Sequence, residues 1–185
     1  MKLRSIDRLS LRMGMGVTAI LIAALAAAFL LLYRQYWRLV QETARRHALA
    51  ETGLVQAALR HQMLRNDRSL LREMIEDFSG SLKFERLMIL DRQGRVAFSS
   101  DPAIRSSHFS FDSPTCQVCH RKPPERRAMT TTLELEQGAV LRCVRPIPNE
   151  KRCHACHDAN HRMNGVLIAD VSLEPVRLQI ERGTM

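Results

Sequence analysis

Residues 87–98 read Leu87-Met88-Ile89-Leu90-Asp91-Arg92-Gln93-Gly94-Arg95-Val96-Ala97-Phe98. A short apolar run meets the turn-forming residues Asp91 to Gly94, and an apolar stretch then returns. That pattern predicts a β-hairpin. On its N-terminal side the period is helical instead. Trp37, Val40, Ala44, Ala48, Val55, Leu59 and Met63 recur every three or four residues from Arg34 to about Arg65, with a gap at Glu51-Thr52. The stripe suits either a dimer seam or a face that covers a sheet. Asn66-Asp67 offers a helix cap, and Leu70, Leu71, Met74, Ile75 and Phe78 predict a second helix from Arg68 to Phe78 that Ser79-Gly80 closes.

Beyond the hairpin, Asp101-Pro102 opens a loop over residues 102–115. A second hairpin follows, with Met129 to Glu136 alternating, Gln137-Gly138 turning and Ala139 to Val144 returning. Pro146 and Pro148 are expected to end that strand, because proline cannot donate to a ladder. Gly165 to Leu173 reads as a last strand, followed by Glu174-Pro175 and a short helical tail. Helices, hairpin, insertion, hairpin and strand together predict an α+β fold, an antiparallel sheet covered by the N-terminal helices.

The first residues, 1–12, carry Lys2, Arg4, Arg8 and Arg12 against Asp7. Residues 13–32 contain no charge, and twenty residues of helix span about 30 Å, the thickness of a bilayer core. Tyr33, Tyr36 and Trp37 follow as interfacial aromatics do. A cleavable signal peptide is the rival, since Ala24-Leu25-Ala26 offers a cleavage pattern. The apolar run continues well past it, which favours an uncleaved anchor. Residues 1–12 are thus expected in the cytoplasm, residues 13–32 in the membrane, and residues 33–185 as one domain.

One five-residue word occurs twice within that domain, as Cys116-Gln117-Val118-Cys119-His120 and Cys153-His154-Ala155-Cys156-His157. C-x-x-C-H is the attachment signature of c-type haem. Two thiols three positions apart can each form a thioether to one porphyrin, and the following His is then positioned to bind the iron. A structural zinc ion held by the four thiols, or a pair of disulfides, would use the same cysteines. Neither uses the histidines, and only 7 of 185 residues are His. Two covalent haems are therefore expected, on Cys116/Cys119 and Cys153/Cys156, with His120 and His157 as proximal ligands. The fifth cysteine, Cys143, reads as a small buried residue on a strand.

The chain resembles the periplasmic haem-binding sensor domains of bacterial transmembrane receptors, which have PAS/CACHE-like folds. The resemblance rests on the signal anchor running into a long helix, on Ile89 to Val96, on Arg145-Pro146-Ile147-Pro148-Asn149-Glu150, and on Cys153–His157 followed by Gly165 to Leu173. It implies a single-pass protein of the inner membrane whose C-terminal domain lies in the periplasm, where c-type cytochromes mature. Such receptors continue into a second membrane helix and a signalling module, which the sequence to Met185 does not carry. The resemblance thus implies a partner receptor or kinase that supplies the output. A homodimer is a further expectation, and nucleic acid is not an expected partner.

Candidates for the distal ligands are more numerous. His108 lies in the loop before the first word and His161 just after the second, and both are preferred as neutral imidazole donors. Met129, Met163, His61 and Met63 are further candidates, whereas His154 sits within its own word and reaches the distal face poorly. The formal charge is +9, and the propionates of two haems would bring it to about +5. Arg121, Lys122, Arg126 and Arg127 crowd behind the first word. They suit propionates, an acidic redox partner, or solvent alone. With no P-loop, nucleophile elbow or H-E-x-x-H, enzymatic activity is not expected. A redox or ligand sensor is the leading expectation, and an electron-transfer cytochrome is the alternative.

Overall fold

The computed structural model describes residues 3–82, 84–135 and 138–174. Helix α1 runs over Leu3–Arg65 and α2 over Arg68–Ser81. The strands are β1 (Phe84–Asp91), β2 (Val96–Ser99), β3 (Thr130–Leu135), β4 (Gly138–Pro148) and β5 (Met163–Ser172), with a short helix α3 at Pro114–His120. The expected helical tail after Pro175 lies outside the described residues.

The chain divides into two compact units, 1–44 and 45–185. In the first, the apolar stretch of α1 reaches a mean hydropathy of 2.6 over its best window, none of which is buried. Its length and composition suit a membrane crossing.

The second unit is a five-stranded antiparallel sheet in the order β2-β1-β5-β4-β3. Side chains alternate across it, as the strand period requires. On one face Leu87, Ile89, Cys143, Leu167 and Ala169 meet Ala48, Val55 and Leu59 of α1 and Leu71 and Ile75 of α2. The apolar stripe of α1 thus covers the sheet over this unit. Its gap at Thr52 is fully buried, and the hydroxyl donates to the Ala48 carbonyl at 2.6 Å. A polar residue fits there because its hydrogen bond is satisfied inside its own helix. On the opposite face Met88, Leu90, Val96 and Ile168 form a second cluster under Ile104 and Phe109.

Asn66 closes α1 in the left-handed region, at φ 55°. Asp67 then caps α2, its carboxylate accepting from the Leu70 N–H at 3.0 Å. The hairpin turn needs Gly94, whose φ is 84°. A β-carbon there would collide with the Phe109 carbonyl, which the chain draws in by donating from the Phe109 N–H to the Gly94 carbonyl.

Three expectations are corrected. Ser79-Gly80 does not close α2, which runs on to Ser81. Pro146 and Pro148 do not end β4, which pairs with β5 as far as Pro148↔Met163. The partner on the other edge, β3, begins opposite Cys143, so beyond Val144 that edge of β4 has no strand to donate to. The Pro146 carbonyl accepts instead from Gln56 Nε2 at 2.7 Å. Proline is tolerated on such an edge. The loop expected over residues 102–115 also ends early, since α3 begins at Pro114.

Arg142 and Asp170 face each other across β4 and β5, with two contacts of 2.6 Å and side chains 3% and 0% exposed. Removing one partner leaves the other charge buried. Asp170→Ala is therefore expected to cost about 3–5 kcal/mol. An Arg142→Met/Asp170→Leu double variant should lose far less, and urea denaturation measures both.

Candidate functional site

Both C-x-x-C-H words are wound into a helical turn. The first occupies α3, where the Cys116 and Gln117 N–H groups donate to the Ser113 carbonyl. The second follows a 3₁₀ turn at Lys151–Cys153, and the Cys156 and His157 N–H groups both donate to the Cys153 carbonyl, at 3.1 and 3.0 Å. A helical turn brings residues i, i+3 and i+4 to one face. Each word therefore presents two thiols and an imidazole on the same side, the disposition that double thioether attachment requires.

The second word borders a cavity of about 700 Å³. Cys153, Cys156 and His157 edge it, Met63 of α1 lines it, and Phe98 and Pro146 to Pro148 add apolar wall. Its volume lies within the range of small-molecule and cofactor sites. Gln62 also lines it, and its Oε1 is buried without a partner. Arg60 on α1 reaches Glu150 at 2.6 Å, and Arg152 reaches the same carboxylate at 2.9 Å. One acidic group thus holds two guanidiniums at the cavity rim.

The loop behind the second word is tied to β4. Asn149 Nδ2 donates to the carbonyls of Asp158 and His161, each at 2.8 Å, and its N–H donates to Arg162. His161 Nδ1 lies 3.2 Å from Asp158 Oδ2, which leaves Nε2 available. An imidazole held on one nitrogen by a carboxylate is the usual disposition of a metal-binding histidine. His108 lies elsewhere, its Nε2 2.7 Å from the Gln93 carbonyl beside the β1–β2 turn, which leaves Nδ1. Met129, His61 and His154 are exposed, and Met163 is half-buried at the start of β5.

At the first word Cys116 and Cys119 are half-buried. The Phe111 ring meets His120 edge-on at 4.9 Å. Partial burial, and then the charge of Arg127, push the His120 pKa below its ordinary value. A lowered value favours the neutral imidazole, the form that binds iron. Arg121, Lys122, Arg126 and Arg127 are all exposed, and Arg127 Nε donates to the Lys122 carbonyl at 3.0 Å.

All five cysteines are free thiols. Among the described residues, no three His, Cys, Asp or Glu side chains converge on a point that would hold a bare metal ion. The four thiols of the two words therefore do not assemble the tetrahedral set that structural zinc takes. Cys143 sits in the core between sheet and helices, fully buried, and its thiol pKa is raised, burial being the largest cause.

Residues 126–174 match a family model described as the sensor of a methyl-accepting chemotaxis sensory transducer, class 40H. That segment contains β3, β4, the second word and β5, less than half of the chain. Among solved structures, the chain is similar to the sensory domain of the Campylobacter jejuni chemoreceptor Tlp3, with a TM-score of 0.51 and 15% identity. The match covers 73% of this chain and 56% of that one, so the chain spans about half the length of the solved domain. No curated protein matches. The fold is therefore α+β, with a long N-terminal helix and an antiparallel sheet, as in a chemoreceptor sensory domain.

His120 offers a check on the site's electrostatics in the cofactor-free chain. Its titration, followed by NMR, should fall below the ordinary histidine value of about 6.5, and Arg127→Ala should move it part of the way back. Because the folded value is the lower one, this group favours the folded state fully above about 6.5. That contribution declines as pH drops below it.

Proposed function

We propose that this chain is the membrane-anchored, periplasmic, haem-binding sensor domain of a signalling system, carrying two c-type haems. Cys116/Cys119 and Cys153/Cys156 are the attachment thiols, and His120 and His157 are the proximal ligands. The observation that carries the reading is the second word, a helical turn whose two thiols and imidazole edge a cavity of about 700 Å³. The match of residues 126–174 to a chemotaxis sensor model supports the sensing part.

When bound, haem would supply reversible one-electron chemistry or an iron site for a small ligand. The chain's own residues do the rest. Met63 presents a thioether to the cavity from α1, and Arg60 and Arg152 offer guanidiniums that suit propionates once shared with Glu150. His161, oriented by Asp158, and His108 remain the proposed distal imidazoles, with Met63 the donor best placed towards the second word. The function in this reading is binding and signalling, with a receptor or kinase as partner. Electron transfer is the second reading. The observation favouring it is the exposed basic group from Arg121 to Arg127 beside an exposed His120, which suits docking of an acidic redox partner.

Expression with the c-type maturation machinery tests the cofactors. The full chain should gain the mass of two haems that resist acid–acetone extraction, and Cys153→Ala/Cys156→Ala should lose one of them. Bound zinc without visible absorbance would overturn the reading. N-terminal sequencing should find residues 13–32 retained, whereas a start near Ala27 means a cleaved, soluble protein. Carbon monoxide added to the reduced protein separates the two functions. Binding at one haem, with altered hydrogen exchange in α1, supports sensing. Two haems indifferent to the gas, in a fold indifferent to oxidation state, favour electron transfer.

A further inference from the structure

Along α1, residues Leu49, Gly53, Gln56 and Arg60 are spaced by four, three and four, so they line one side of the helix. The end of β4 lies against that side. Gln56 Nε2 donates to the Pro146 carbonyl at 2.7 Å, and Arg60 meets Glu150 at 2.6 Å just beyond the strand. Arg145 makes two contacts of its own. Its Nε donates to Gln56 Oε1 at 2.9 Å, and its Nη1 donates to the Leu49 carbonyl at 3.2 Å. The helical ladder assigns that same carbonyl to the Gly53 N–H. One guanidinium therefore shares a hydrogen bond inside the helix. Gly53 permits the approach, since a β-carbon there would lie 3.4 Å from Nη1 and 3.5 Å from Cζ. Glycine also weakens a helix interior, so Arg145 touches α1 at a soft turn.

Arg145 also lines the cavity at the second C-x-x-C-H word. Other guanidiniums on that wall have their own attachments. Arg60 and Arg152 share Glu150, and Arg68 lies over the Phe98 ring at 5.5 Å. Arg145 is half-buried and bonds a neutral amide and a neutral peptide carbonyl. A guanidinium carries five N–H groups, so it retains donors for a further acceptor. A carboxylate suits it best, because a charge-assisted bond is roughly twice as strong as a neutral one.

We propose that Arg145 binds a carboxylate of the group held in this cavity and passes its presence to α1 at Gly53. The inference rests on the haem reading, under which the carboxylate is a propionate of the second haem. Arg145 holds the helix through Leu49 and Gln56 and borders the cavity at the same time. An acid in the cavity fixes the guanidinium, and the soft turn of α1 is fixed with it. The guanidinium–carboxylate bond exists only in the loaded state, which is the differential contact that a shift between two states requires. The path is short. Arg145 stands eight residues before Cys153 on the strand that leads to the second word, and α1 is the helix that contains residues 13–32.

The test compares the full chain matured with both haems against the Cys153→Ala/Cys156→Ala chain, which lacks the second. Mass spectrometry establishes the haem content, and hydrogen exchange is read at the amides of residues 50–57. Thioether bonds keep the haem in place whatever is done at Arg145. The second haem is expected to slow exchange of this stretch about tenfold, the scale of one charge-assisted hydrogen bond. Arg145→Met should remove that difference with the haem still attached. Gly53→Leu strengthens the helix but fills the seat of the guanidinium. It should slow exchange in both chains and also remove the difference. A merely structural Arg145 predicts another result, in which Arg145→Met speeds exchange by the same factor with and without the second haem. That result overturns the proposal, as does a parent chain without the difference, or a difference that survives Gly53→Leu. A chain that takes up no second haem overturns the haem reading and this inference with it. Two attached haems with any of the other adverse results overturn this inference alone.

Discussion

The two 2.6 Å contacts between Arg142 and Asp170 lie between the paired strands β4 and β5. A register slip of one residue would turn every side chain of a strand to the opposite face. Here it would also strand two charges in a region from which water is excluded. The pair therefore acts on specificity of register as much as on stability, while the apolar clusters on both faces supply the driving force. The second C-x-x-C-H word is the connection between these two strands. Its ends leave Pro148 and rejoin at Met163, so its position follows from the register. Asn149 then ties the returning loop to the end of β4.

Elements with a strong local signal were legible in the sequence. The β1–β2 hairpin announces itself through Asp91 and Gly94, because only a small residue fits the backbone where Phe109 closes over the turn. The cap at Asp67 and the switch of period after Gly80 were equally readable. The two C-x-x-C-H words were legible as motifs, but their helical winding was not, since residues 102–115 read as a loop running into the first and α3 begins at Pro114. The continuation of β4 past Pro146 was not, because proline's tolerance depends on whether another strand lies alongside. That is a fact about β3, not about the proline.

The surroundings of the second word were hidden for a similar reason. Arg60 and Glu150 are separated by 90 positions and meet only because α1 lies over the end of β4. Met63 was one methionine among several in the sequence, and the fold alone places it on the wall of the cavity that Cys153 and His157 edge. The polar gap at Thr52 looked like a fault in an apolar stripe. It is a residue that satisfies its own hydroxyl within the helix. Long-range pairings and internally satisfied polar groups leave no trace in periodicity, whereas turns, caps and short motifs do.

The overhang of β4 beyond β3 has a consequence for life in a crowded compartment. A bare strand edge is a template on which another chain can add itself, and repeated addition leads to fibrils. This edge carries two prolines, and the carbonyl of Pro146 is already engaged by Gln56. An incoming strand would find the Pro146 acceptor occupied and the donors missing at Pro146 and Pro148. The same residues that let the strand run on to deliver the second C-x-x-C-H word therefore make its exposed margin sterile to polymerisation.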